Sequence, residues 1–166
     1  MVPMRLYVFM SDTTLWTTAR LLVRRFVPSD AEALYGILSD PDVMRFIEPP
    51  FSRAQTEAFL YQHGLCSSPR VYAIEHDGAL IGQFIWHPCG ESAYELGWIL
   101  AADAWGRGFA SELTAAALAH AKGRGIPSLL LECSPAQSAS ARIAEKYGFA
   151  SMGIQDGLML YEKSTE

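Results

Sequence analysis

With 166 residues, half of them apolar and 19% charged, the chain is long enough for one well-filled core and too apolar for a disordered or fibrous protein. Eighteen acidic against thirteen basic side chains give a formal charge of -5, which argues against a nucleic-acid binder with a broad basic face. Cys66, Cys89 and Cys133 lie at scattered positions without metal-ligand spacing, so reduced thiols, a cytoplasmic location and no metal are expected. The apolar run from Leu6 to Met10 is too short for a signal segment, and no window approaches the roughly 18 apolar residues of a membrane span.

Residues 1–14 read as an N-terminal extension, either a tail or an extra edge strand, ahead of one domain over residues 15–163. Leu15 to Val27 reads as a strand stopped by Pro28, and its Arg20, Arg24 and Arg25 form either a basic patch or a solvated strand edge. Ser29-Asp30-Ala31-Glu32 has the form of a capping box, opening a helix through about Leu38 that Ser39-Asp40-Pro41-Asp42 breaks. Val43 starts a short further turn. Ser52-Arg53-Ala54-Gln55 is a second capping box, for a helix ending near Gly64. Strands over Val71–Glu75 and Leu80–His87 flank the hairpin turn His76-Asp77-Gly78, and a further turn leads into Tyr94–Leu100. A helix over Gly108–Lys122, a continuously apolar strand over Ile126–Cys133 and a helix over Gln137–Lys146 follow. A hairpin turning at Gln155-Asp156-Gly157 completes the pattern. It is an α/β fold of the α+β type: a mixed, mostly antiparallel sheet with about four helices and one strand–helix–strand crossover.

The crossover carries the chemistry. Strand Tyr94–Leu100 runs through Gly106-Arg107-Gly108-Phe109-Ala110 into an alanine-rich helix. The first N–H groups of a helix lack intrahelical partners and sit at the positive end of its dipole. Glycines on the approach let an anion come close, and Arg107 adds a full charge. The combination reads as a pyrophosphate cradle. A dinucleotide-binding unit requires a third glycine where Ser111 stands, and more chain than remains beyond residue 106.

Four blocks resemble the GNAT (GCN5-related N-acetyltransferase) superfamily over about residues 15–163, and within it the branch of ribosomal-protein N-terminal acetyltransferases. They are Thr18 to Arg25, Ser39 to Met44, Ala104 to Glu112 and Ala144 to Phe149, in that order. The resemblance implies a sheet with splayed central strands and acetyl-CoA as co-substrate. It also implies direct transfer of acetyl to an amine acceptor, either a small molecule or a protein N-terminus. Cofactor contacts then fall on Trp98, Ile99 and Leu100 of the strand, on Trp105, Gly106, Arg107, Gly108, Phe109, Ala110 and Ser111 of the cradle, and on Ser138 and Ser140. Gly97 is consistent with a bulge at the splay or with a packing glycine.

The sequence departs from the family pattern at three places: Trp105 opens the phosphate motif, Ser138 replaces an asparagine, and Ala144 replaces a tyrosine acid. The resemblance implies Glu95 as general base, at about the distance from the phosphate motif that a catalytic glutamate keeps in relatives; a solvated strand glutamate is the other reading. Ser140 or Tyr147 is available to protonate the departing thiolate, although Tyr147 also suits core packing. Glu132 is a second base or a substrate-orienting carboxylate, and Phe46 and Trp86 are expected walls of the acceptor pocket. His63, His87 and His120 have no partner at metal spacing and rank below these; Cys133 is a small buried hydrophobe or a covalent acetyl carrier. A non-catalytic acyl-CoA-binding module is the alternative function, and homodimerisation stays open.

Overall fold

The structure, a computed structural model, describes residues 13–166, so the expected extension over 1–14 lies almost wholly outside the described residues. Eight strands form one sheet in the order β1-β2-β3-β4-β5-β6-β8-β7. They are β1 (Thr14–Thr17), β2 (Leu21–Arg24), β3 (Val71–His76), β4 (Ala79–Cys89), β5 (Ala93–Leu100), β6 (Ser128–Cys133), β7 (Ala150–Gln155) and β8 (Leu158–Ser164). Five α-helical segments accompany them: α1 (Ala31–Leu38), α2 (Pro41–Met44), α3 (Arg53–Phe59), α4 (Phe109–Arg124) and α5 (Ser138–Lys146). All strand pairs are antiparallel except β5 with β6, which the crossover through α4 makes parallel.

Two expected elements fold differently. The strand expected over 15–27 is a hairpin, because Thr18 closes a turn by accepting from Leu21 N through Oγ1 (2.9 Å) and donating its own N–H to Leu21 O (2.8 Å). The expected capping box at Ser29 does not form. Pro28–Asp30 is a 3-10 turn, Asp30 accepts instead from Val27 N (2.9 Å), and Glu32 pairs with Arg53. The box at Ser52 does form, with Ser52 Oγ accepting from Gln55 N and Gln55 Oε1 accepting from Ser52 N. The break before Val43 is itself a start: Asp40 accepts from Asp42 N, Pro41 occupies the first turn, and α2 follows. Both predicted hairpin turns stand, with Asp77-Gly78 and Asp156-Gly157 in left-handed conformation.

Two apolar clusters lie on opposite sides of the sheet's middle. One packs β-strand residues such as Phe84, Leu96 and Leu129 against Phe109, Leu113 and Ala117 of α4. The other joins Leu34 and Leu38 of α1, Met44 of α2 and Leu60 to Val71, Ala73 and Ile99 of the sheet.

The cleft where β5 and β6 separate

β5 and β6 pair at only three positions, Ala93 with Ser128, Tyr94 with Leu129 and Glu95 with Leu130. Beyond Glu95, β5 stays paired with β4 through Leu100, whereas β6 stays paired with β8 through Cys133. The two strands therefore splay after Glu95 and leave a wedge between them. No bulge produces it. The β4–β5 register runs unbroken past Gly97, whose position a Cβ would crowd to 3.0 Å from Ile85 Cδ1, so Gly97 is a packing glycine.

A cavity of about 260 Å³ fills the wedge, between Glu95, Trp98 and Ile99 on one wall and Glu132, Cys133 and Ser140 on the other. Phe46 stands at its mouth, 40% exposed. A second cavity of about 250 Å³ lies between the sheet and the first three helices. Its apolar walls come from Leu38, Met44, Phe51 and Phe59, its sheet floor from Gln83, Ile85 and His87, and its polar edge from Glu48, His63 and Arg70. Glu95 and Ile99 line both cavities.

The cradle lies along the far end of β5. Gly106 and Gly108 both have positive φ (69° and 81°), a conformation that side chains with a Cβ resist, and nothing lies within 4 Å of where a Gly106 Cβ would be. Gly108 is the N-cap of α4 and no side chain caps the helix, so its first N–H groups face outward for a ligand. Phe109 itself is buried (1% exposed). The guanidinium groups of Arg20 and Arg107 cover its ring at 4.5 and 4.8 Å. Trp105 is half exposed and donates from Nε1 to Leu100 O at 3.0 Å, tying the cradle to the end of β5.

The brace under this loop was absent from the sequence reading. Arg20 donates from Nη1 to Arg107 O (2.9 Å) and from Nε to Glu112 Oε2 (2.7 Å), and Glu112 Oε1 accepts from Thr18 Oγ1 and Arg20 N. Partial burial pushes the Glu112 carboxyl up, but the Thr18 hydroxyl and Arg20 outweigh it and hold it below the usual range. Of the two readings of Arg20, Arg24 and Arg25, the basic patch does not hold: Arg24 pairs with Asp30 and Glu75, and Arg25 donates to Cys66 O.

The remaining candidates separate. Trp86 is 4% exposed, packed against Trp16 and Tyr94, and lines neither cavity, so it is not a wall of the acceptor pocket. Ser138 is exposed and also lines neither cavity. Ser111 lies inside α4, its Oγ 2.8 Å from Tyr147 OH and accepting from Lys146 Nζ at 2.8 Å; the Tyr147 hydroxyl thus bridges α4 and α5 away from the wedge. Ala144 is fully buried where the family pattern has its tyrosine. Partial burial raises the pKa of Glu132, and the charges of Glu95 and Asp156 push the same way. Burial also pushes the Cys133 thiol up, which disfavours the thiolate a covalent carrier needs. His87, ranked low from sequence, sits 3.1 Å from Glu95 Oε2. Hairpin arithmetic finds it, since a turn centred on Glu91 places 87 opposite 95.

Against known proteins, the family described as Acetyltransferase (GNAT) domain matches residues 20–150. The chain belongs to the GNAT acetyltransferase family. The Bacillus subtilis protein described as an uncharacterized N-acetyltransferase, YnaD, is 31% identical over 142 residues, covering 83% of this chain and 84% of its own. The solved GNAT-family acetyltransferase of Bacillus anthracis superposes with a TM-score of 0.80 at 26% identity, covering 90% of this chain and 97% of that one. RimL, a ribosomal alpha-N-protein acetyltransferase solved with coenzyme A, gives a TM-score of 0.76 at 19% identity, over 91% of this chain and 97% of its own. That last likeness speaks for the fold alone, and the ribosomal-protein branch is one among many acetyltransferase neighbours. This GNAT chain is an N-acetyltransferase with the expected mixed sheet. Among the described residues, no helix is long and apolar enough to cross a membrane and no cluster of His, Cys, Asp or Glu is fit to hold a metal.

Proposed function

We propose that the chain transfers acetyl from acetyl-CoA directly to a primary amine, with Glu95 taking the amine proton. One observation carries the reading: Glu95 is the last β5 residue paired with β6, and among the described residues it shares with Glu48 alone, of the carboxylates, a place in both cavities. A group there meets both a thioester entering the wedge and an amine entering from the helix side. The cradle fits the diphosphate of the co-substrate, because the uncapped α4 N-terminus, the open space at Gly106 and the Arg107 charge suit two phosphates. When bound, acetyl-CoA supplies the activated acetyl group. The chain's own residues do the rest.

Neutralising the incoming ammonium costs about 1 kcal/mol for an α-amine and about 4–5 kcal/mol for a lysine at neutral pH, which a positioned base relieves. Glu48, Glu95 and Glu132 give the wedge an acidic lining that attracts the cation. Ser140, in the first turn of α5 and within the wedge, is placed to protonate the departing thiolate. The second cavity receives the body of the acceptor, a compact apolar or aromatic group set against Phe51, Phe59 and Met44. Three free thiols suit a reducing cytoplasm.

The test is release of free thiol from acetyl-CoA across a panel of small amines and peptide N-termini, beside calorimetric titration of acetyl-CoA. Glu95→Gln should lower turnover about 10²–10⁴-fold while acetyl-CoA affinity holds. Unchanged turnover removes Glu95 from the mechanism, and binding without turnover on any amine would mark a sensor module.

A further inference from the structure

Behind Glu95, two side chains compete for one atom. His87 Nε2 lies 3.1 Å from Glu95 Oε2 and 3.1 Å from Arg70 Nη2, while His87 Nδ1 lies 2.9 Å from Pro88 O. A carbonyl only accepts, so Nδ1 carries a hydrogen whether the ring is neutral or charged. Nε2 then faces partners that exclude each other. Arg70 can only donate, which requires a bare Nε2, and ionised Glu95 can only accept, which requires a protonated one. The ring is held in place by the Pro88 contact and by its burial at 8% exposure, so the proton on Nε2 decides which neighbour it bonds.

We propose that His87 is a proton relay acting through Glu95: it draws off through Nε2 the proton that Glu95 takes from the acceptor amine. The proposal rests on Glu95 being the base. In the first transfer an N–H bond of the ammonium breaks and an O–H bond forms on Glu95. In the second, that O–H bond breaks and Nε2–H forms, restoring the carboxylate and leaving an imidazolium that donates to it. The imidazolium then passes its proton to water on the Arg70 side, where Arg70 is solvent-exposed. One proton leaves per acetyl transferred, matching conversion of ammonium and thioester into amide and thiol, and no atom changes oxidation state.

Arg70 has the complementary part. Its guanidinium bonds the bare Nε2 in the resting state and repels the imidazolium, which hastens loss of the proton and resets the site. The other ionisable groups bordering this cavity are His63, at the end of the turn following α3, and Glu48, after α2. Glu95 from β5 and Arg70 from the segment ahead of β3 are the charged groups that touch the ring.

The test uses the full chain, acetyl-CoA and whichever panel amine the native protein acetylates. His87→Gln keeps a polar group at the position but cannot carry a proton. It should lower kcat roughly tenfold or more while leaving Tm and acetyl-CoA affinity near native. His87→Ala should be partly rescued by added imidazole, with a rate that rises with imidazole concentration, and the rescue should vanish in His87→Ala/Glu95→Gln. Arg70→Met should lower kcat by less than His87→Gln does, because the ring can still take the proton and only the neighbouring cation is gone. Nitrogen-15 spectra of the imidazole should show the Nδ1–H tautomer at rest, a readout that needs no acceptor. Native kcat and pH profile in His87→Gln overturn the relay. So does a His87→Ala protein that folds and binds acetyl-CoA yet gains nothing from imidazole, or an Nε2–H tautomer at rest. If Glu95→Gln itself turns over normally, the base assignment fails; if only the His87 variants do, the relay fails alone.

Discussion

At the α4 end of the cleft, the parts that suit a diphosphate come from one short stretch, residues 105–111, braced from a distance by Thr18 and Arg20 on Glu112 and Arg107 O. At the other end, the second cavity takes its walls from α1, α2, the residues around α3 and three strands, so its lining is gathered from six separate stretches of the chain. The end proposed for the cofactor is a local conformation: two left-handed glycines and an uncapped helix start. The end proposed for the acceptor is a gap left by packing. A chemical group shared by every member of a family can be gripped by backbone, whereas an acceptor that varies must be met by side chains brought from separate elements.

Variants should keep that division. The largest effect is expected where the acceptor side is pinned to the sheet. Burial pushes the Asp30 carboxyl up, but the bonds from Arg24 and Val27 N prevail and hold it below its usual value. Asp30→Ala takes one of two carboxylates from Arg24, whose side chain is only 19% exposed and which keeps Glu75, and should cost about 2 kcal/mol, a fall in Tm of roughly 4–8 °C. A depressed carboxyl stabilises above its unfolded value of 3.8 and loses this as pH falls through the folded one, so native and variant Tm should draw together below pH 3.8 and meet only beneath the lowered folded value. Convergence at neutral pH instead would show that the pair contributes nothing.

Next comes the cradle. Arg107→Glu puts a negative charge against the diphosphate and should weaken acetyl-CoA binding about 10-fold or more, with the loss shrinking at high salt. Calorimetry reads the affinity. The KM for the amine should stay put, and a parallel change in it would break the division between the two ends.

A smaller effect belongs to the floor of the second cavity. Gln83 is 3% exposed and its Oε1 has no partner among the described residues, so Gln83→Leu should raise Tm by about 2 °C rather than lower it. A clear fall would mean that the amide is bonded in solution. The smallest effect is at Glu132, whose raised pKa, caused first by partial burial and then by Glu95 and Asp156, makes its charged form unfavourable in the fold. Glu132→Gln should raise Tm by roughly 1–2 °C at neutral pH, after allowance for solvent screening of an exposed group. The gain should disappear as pH falls below the raised pKa, where the native carboxyl is already protonated.

Gly106, Arg107 and Gly108, the two Asp-Gly hairpins and the apolar strand over 128–133 were legible without coordinates, because each rests on backbone geometry or on a period that neighbouring residues declare. So was the fold class, through the order of those elements. Trp86 was misplaced because an aromatic residue in a strand has two faces to choose from, and only the packing of Trp16 and Tyr94 shows which one it took. Ser29 and Glu32 matched a capping pattern, yet Arg24 and Arg53 offered their carboxylate neighbours stronger partners from a distance.

By itself the chain determined the glycine turn into α4 and that β5 and β6 run parallel, since local conformation and connection length dictate both, while its resemblance to a family singled out Glu95 as base candidate. Only the tertiary structure decided that β5 and β6 part after Glu95, that Arg20 braces the cradle and that His87 and Arg70 meet behind the carboxylate. Those contacts join residues from separate elements, and the register and packing that bring them together are properties of the closed sheet rather than of any one stretch.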